Sequence, residues 1–171
     1  MHDIIPSLQV ALENELQERD FYLMHSRRTK NHLGRAMFEY IAKDEEEHYQ
    51  RLQKAHEHLT HTGAWPENIS LTVQKTSIMD VLLSIARRAD ITASPDLDDR
   101  KALQVAIDFE TKAYEFYARL GKTTSDQHEQ NFFNHLASME LEHLQALKET
   151  LLYFEDPATW FAHHEKPGLD G

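Results

Sequence analysis

The chain has 171 residues, 40% apolar and 27% charged, with five Gly, five Pro and no Cys; this suits one helical domain and excludes disulfides, Cys nucleophiles and every Cys-ligated metal or iron–sulfur centre. A formal net charge of −11 argues against general nucleic-acid binding, which needs a basic footprint. The apolar run around Val81-Leu82-Leu83 is far too short to span a bilayer, and the opening MHDIIPSLQV has neither a basic region nor a small-residue cleavage site, so the expected location is the cytoplasm, away from membranes.

So few helix breakers imply long elements. Helical periodicity follows Pro6, a first-turn residue, and covers about residues 7–28. A second helix covers about 31–61, stopped by Gly63 and Pro66. After a turn-rich start, SIMDVLLSIARRAD gives a short amphipathic helix over about 78–91, with Ile78, Val81, Leu82 and Ile85 on one side. The next long helix follows Pro95 and Asp96 over about 96–120, ahead of Gly121. The last covers about 125–155, with Ser125 as its N-cap, and ends at Asp156-Pro157. The tail, 156–171, is expected to pack Trp160 and Phe161 on the bundle and then fray. Short loops make the first two and the last two long helices antiparallel hairpins, while residues 63–95 are long enough to cross from one end of the bundle to the other. The expected fold is therefore all-α: a four-helix bundle with a long crossover containing a short fifth helix, one domain over residues 1–171.

Within the last helix, SMELEHLQAL sets Glu140 and His143 on one face with Leu136 and Leu147. If the leucines face the core, so do the acid and the imidazole, and a buried carboxylate needs a partner. Alone, a Glu-x-x-His pair is a weak signal among 12 His and 29 acidic residues, because a solvated charged face makes the same pattern. An internal repeat changes its weight. ALENELQERDFY (11–22) matches AIDFETKAYEFY (106–117), so that Glu15 falls on Glu110, Phe21 on Phe116 and Tyr22 on Tyr117, at an offset of 95. The same offset carries Phe38 to Phe133, Glu45 to Glu140, His48 to His143 and Leu52 to Leu147. The chain thus reads twice as Glu and, 30 residues on, Glu-x-x-His.

Helix bundles hold di-iron and di-manganese pairs with this set: a Glu from each of two helices and Glu-x-x-His from each of the other two. Four carboxylates brought together in a core repel one another and lose hydration, at several kcal/mol per unpaired ion. Two divalent cations cancel the four charges of Glu15, Glu45, Glu110 and Glu140, and His48 and His143 add neutral nitrogen donors. Mixed oxygen and nitrogen donors suit Fe or Mn, with Zn as an adventitious occupant. On the pattern of that class, Glu45 and Glu140 bridge, His48 and His143 each cap one metal, and Glu15 and Glu110 are terminal ligands. Two metals about 3.5–4 Å apart can hold a bridging oxygen species, as O2 or peroxide chemistry requires.

Over about residues 7–155 the repeated Glu…Glu-x-x-His pattern, with ETKAYEFY and ELEHLQAL, resembles the rubrerythrin branch of the ferritin-like superfamily. The resemblance implies a ferritin-like bundle whose iron ligands are Glu15, Glu45, His48, Glu110, Glu140 and His143. It also implies that Tyr22 and Tyr117, each seven residues after a ligand Glu, lie beside the site; as residues alone they read first as core aromatics with satisfied hydroxyls, ahead of a redox role. Two departures stand out. Full-length rubrerythrins carry a four-Cys rubredoxin domain, so in this Cys-free chain electrons must come from a separate donor protein such as a rubredoxin. Rubrerythrins also place a carboxylate three residues after the Glu of the third long helix, where this chain has Ala113; the matching residue of the first repeat is Glu18, a fifth carboxylate arriving from the other side and a candidate proton carrier.

The function implied is a non-haem di-iron oxidoreductase reducing hydrogen peroxide, with Glu18, Tyr22 and Tyr117 beside the metals and a homodimer as the expected assembly. A ferroxidase that oxidises Fe(II) with O2 or peroxide is the alternative, and a metal-supported scaffold without activity is the third reading. The run His56, His58, His61 reads as a solvated helix end, where basic groups are favoured. Glu46 and Glu47 read as facing water or neighbouring helices, and Tyr40 and Tyr114 as packing.

Overall fold

The computed structural model describes residues 4–67, 69, 78–88 and 96–164. They form helices α1 (Ile5–Arg28), α2 (His32–Thr62), α3 (Ile78–Arg88), α4 (Leu97–Thr123), α5 (Gln127–Glu155) and α6 (Pro157–His164), with no strand among the described residues. The expected all-α architecture is present. No described helix is long and apolar enough to cross a membrane.

Local chemistry sets the boundaries. Pro6 sits in the first turn of α1, where its missing N–H costs nothing. Asn31 Oδ1 accepts from Gly34 N at 3.0 Å to start α2, and Gly63, at φ 70°, closes it in the left-handed conformation that glycine adopts without strain. Asp96 and Asp99 form a reciprocal capping box at the start of α4.

Three boundaries differ from expectation. Gly121 does not end α4, which runs on to Thr123; the glycine instead lets α4 approach Asn134 of α5, whose side chain a Cβ would strike. The N-cap of α5 is Asp126 rather than Ser125, its Oδ1 accepting from the backbone N–H of His128 and Glu129 at 2.9 and 3.0 Å. The tail opens as a helix: Asp156 caps Thr159 and Pro157 starts α6, which buries Trp160 against Tyr153. The expected fraying lies outside the described residues, as do positions 89–91 of the short helix.

α1 lies along α2 and α4 along α5, so each sequence-adjacent pair is a hairpin; α3 packs on α2 and α5, and the backbones of α1 and α4 meet at few points. The core is split. One apolar cluster gathers Met37, Phe38, Ile41, Leu103 and Leu147 around Tyr22, with Ile78 and Leu82 of α3 and Trp160 of α6. The other gathers Leu8, Leu52, Phe132, Phe133 and Leu136 around Tyr117. Along every long helix the inward-facing acids lie between a stretch in one cluster and a stretch in the other: Leu8, Glu15, Tyr22 on α1, and Ile41, Glu45, His48, Leu52 on α2. Each fully buried Leu or Phe contributes roughly 1.5–3 kcal/mol. Those two apolar layers hold a polar slab between them.

Candidate metal centre

The slab contains Glu15 of α1, Glu45 and His48 of α2, Glu110 of α4, and Glu140 and His143 of α5, each at most 2% exposed. The Glu-x-x-His spacing sets each acid and imidazole on one helix face, and the hairpins turn the four faces toward one another. His48 Nδ1 lies 3.3 Å from Glu15 Oε2, 3.0 Å from Glu45 Oε2 and 3.2 Å from Glu140 Oε1. His143 Nδ1 lies 3.1 Å from Glu45 Oε1, 3.3 Å from Glu140 Oε2 and 3.6 Å from Glu110 Oε2. The two imidazoles stand 5.7 Å apart with their planes 22° from parallel.

These atoms form two quartets, Glu15–Glu45–His48–Glu140 and Glu45–Glu110–Glu140–His143, and within each the four donor atoms lie within 4.8 Å of one another. Glu45 and Glu140 belong to both. Several close approaches are not hydrogen bonds: Glu15 Oε2, Glu45 Oε1, Glu110 Oε2, both oxygens of Glu140 and His143 Nδ1 are buried without an aligned partner. Buried carboxylate oxygens converging without donors have the geometry and charge of a cation site. The residues therefore fit a pair of divalent metals.

Protons balance the same charges in a metal-free protein. Burial and repulsion from Glu45 hold Glu15 well above the ordinary carboxylate value; burial alone does most of this at Glu110 too, with Glu45 and Glu140 adding to it against His143. Burial would also raise Glu45 and Glu140, but at both the pull of His48 and His143 prevails and their values fall. Burial disfavours charged His48 and His143, yet the surrounding carboxylates outweigh it and hold both well above the ordinary His value. Two carboxylates are thus balanced by two imidazolium groups.

The repeat extends to the neighbours. The Tyr22 hydroxyl on α1 donates to Glu110 Oε1 on α4, and the Tyr117 hydroxyl on α4 donates to Glu15 Oε1 on α1. Burial, then the adjacent carboxylate, keeps both phenols protonated. Each tyrosine also stacks on its own hairpin's phenylalanine, Tyr22 on Phe38 and Tyr117 on Phe133. These two hydroxyl–carboxylate bonds tie α1 to α4, whose backbones meet at few points.

Glu18 is buried, with Oε2 lacking a partner, and burial followed by Glu110 repulsion raises its pKa well above the ordinary value. It lines a groove of about 450 Å³ between α1 and α4 with Asn14, Phe109, Ala113 and Phe116. Ala113, where a longer side chain would stand in the groove, leaves it open.

Sequence reasoning missed one residue. Asp44 Oδ2 lies 3.0 Å from His143 Nε2 across the hairpins. Within the run DEEE it looks like a solvated acid, but its counterpart at the 95-residue offset is the buried Met139, which marks position 44 as facing inward. By contrast, Glu46 pairs with Arg19 at 2.7 Å near the surface. His58 and His61 are exposed and His56 is half-buried, and among the described residues the two quartets are the only groups of three or more potential metal ligands.

The fold and the buried cluster define an all-α, ferritin-like bundle with a carboxylate–histidine centre. The family model for Rubrerythrin matches residues 7–151, and the chain belongs to the rubrerythrin family. No curated protein and no solved structure matches the chain. Family membership and the buried Glu/His cluster are together consistent with a di-iron site.

Proposed function

We propose that Glu15, Glu45, His48, Glu110, Glu140 and His143 hold two Fe ions and that the protein, working as a single bundle domain, reduces hydrogen peroxide to water with electrons from a separate donor protein. The observation that carries this reading is the pair of buried quartets sharing Glu45 and Glu140. When bound, the Fe pair would supply two electrons to the O–O bond, passing from Fe(II) to Fe(III), and hydrogen peroxide with two electrons and two protons gives two water molecules.

The chain's own residues bring the oxidant and the protons. The groove between α1 and α4 is large enough for a molecule of peroxide size, and polar side chains such as Asn14, Gln17 and Lys112 line it beside Phe109 and Phe116. Glu18 lines the groove, and burial followed by Glu110 repulsion raises its pKa and favours the protonated form, which suits it to donate a proton. Tyr22 and Tyr117 hold the Glu110 and Glu15 carboxylates in place through their hydroxyls. The chain has no cysteine, so no thiolate-held iron centre within it can re-reduce the site. A rubredoxin-type donor supplies those electrons, and pairing as a homodimer accompanies this reading.

The test begins with elemental analysis of protein purified without added metal, beside the Glu45→Ala/Glu140→Ala variant. About two Fe per chain in the wild type and almost none in the variant is expected, because both residues serve both quartets. Stopped-flow mixing of the anaerobically reduced protein should then show faster oxidation by peroxide than by O2. Oxidation of many Fe(II) ions per site would replace the peroxidase reading with a ferroxidase; no uptake of Fe(II) would overturn both.

A further inference from the structure

The two quartets are alike in their donors and their tyrosine neighbours but differ at other positions behind them. At the 95-residue offset, Asp44 corresponds to Met139, Glu18 to Ala113 and Tyr40 to His135. His143 turns Nδ1 to Glu45, Glu110 and Glu140, and its far nitrogen, Nε2, meets Asp44 Oδ2 at 3.0 Å. A carboxylate on the outer nitrogen fixes the tautomer with the proton at Nε2, orients the ring and raises the basicity of Nδ1. His48 turns Nδ1 to Glu15, Glu45 and Glu140 in the same way, but its Nε2 is buried with no hydrogen-bond partner. Among the described residues no acid is bonded to it, and the position matching Asp44 is Met139.

The surroundings differ elsewhere too. Glu18 lines the groove between α1 and α4 at the position where the second hairpin has Ala113. Behind His48, His135 lies in the electrostatic reach of both His48 and the Arg51 guanidinium. Behind His143, the corresponding Tyr40 lies beside Asp44. The Asp44 carboxylate behind His143 thus has no counterpart bonded to His48, and a cation is drawn to the quartet that it backs by Coulomb attraction.

We propose that the quartets fill in order, the first divalent ion going to Glu45, Glu110, Glu140 and His143, and that Asp44 is the positioning residue that sets this order. The inference rests on the metal reading above. Its test is an anaerobic titration of metal-free protein with Mn(II), with free Mn(II) read from its room-temperature EPR signal. The wild type shows two resolved binding steps. Asp44→Asn weakens the first step on the order of 10–100-fold and leaves the second. Asp44→Glu recovers part of that loss, and Met139→Asp strengthens the second step by giving His48 the acid it lacks. His48→Ala keeps the tight step and loses the weak one, and His143→Ala does the reverse.

Two equal steps in the wild type, an unchanged first step in Asp44→Asn, or loss of the tight step in His48→Ala would each overturn the order while leaving the two-metal site standing. Failure of the wild type to take up any Mn(II) or Fe(II) would instead remove the site itself. Since the readout is metal affinity, a change in fold stability alone does not reproduce the opposite responses of the two His variants.

Discussion

The first hairpin, α1–α2, and the second, α4–α5, carry the same inward residues at one offset: Glu15 and Glu110, Tyr22 and Tyr117, Phe38 and Phe133, Glu45 and Glu140, His48 and His143. They part company at Glu18 and Ala113, Asp44 and Met139, and Tyr40 and His135. What they share holds the centre together; where they differ, the differences ring that centre and set its access and charge. A repeated design therefore does not make a symmetric site. On the proposed metal reading, the repeated positions answer a common need for cation donors, whereas the positions behind them differ between the hairpins.

Glu18→Gln breaks the comparison most strongly. It removes the acid that Ala113 already lacks, and peroxide oxidation of the reduced protein is expected to slow by on the order of 100-fold at unchanged metal content, measured by stopped flow. An equal rate in the variant would show that the two sides of the groove do not differ in proton supply. Next in size are Tyr22→Phe and Tyr117→Phe. Each leaves one buried carboxylate oxygen without its donor, so urea denaturation should show losses of about 1–3 kcal/mol, nearly equal between the two. A large inequality would mean that the shared part of the repeat is not equivalent after all.

The pH response sharpens the comparison between metal-free and metal-loaded protein. Glu15, Glu18 and Glu110 sit above the ordinary carboxylate value of 4.5, and His48 and His143 above the ordinary His value of 6.5. All five bind protons more tightly folded than unfolded. Their stabilisation is full below those ordinary values and is lost as pH rises toward the folded values. Glu45 and Glu140 are lowered and act in the opposite sense, losing their contribution only as pH falls below 4.5. The Tm of metal-free protein is therefore expected to fall as pH rises above the ordinary His value of 6.5, and loading with metal should flatten the slope because cations replace the protons. Calorimetry in buffers of different ionisation enthalpy would count the protons released. The smallest effect belongs to Arg19→Ala, which removes the surface pair with Glu46 that Tyr114 does not reproduce in the second hairpin; less than about 1 kcal/mol is expected.

The centre was more legible in the sequence than its surroundings. Six ligand-type residues recur at one spacing, and the fold turns all six inward, because helical phase plus hairpin pairing leaves them no other common face. Helix ends were less legible. Gly121 was open to a stop signal and serves as a close-approach residue, since nothing local announces that Asn134 will press on it. Ser125 and Asp126 are both good caps, and backbone geometry at the α5 start decides between them. Asp44 escaped notice because which acid of a run turns inward depends on the opposite hairpin, where His143 waits. Only the comparison with Met139 carried a trace of it.

Neither hairpin closes a quartet alone. Glu15, Glu45 and His48 need Glu140 from the other side, and Glu110, Glu140 and His143 need Glu45. During refolding, then, helix formation and hairpin closure can run ahead, but a four-donor site exists only once the two halves have docked. Rapid metal capture in a refolding experiment would clock that docking event, separately from the circular dichroism that clocks the helices.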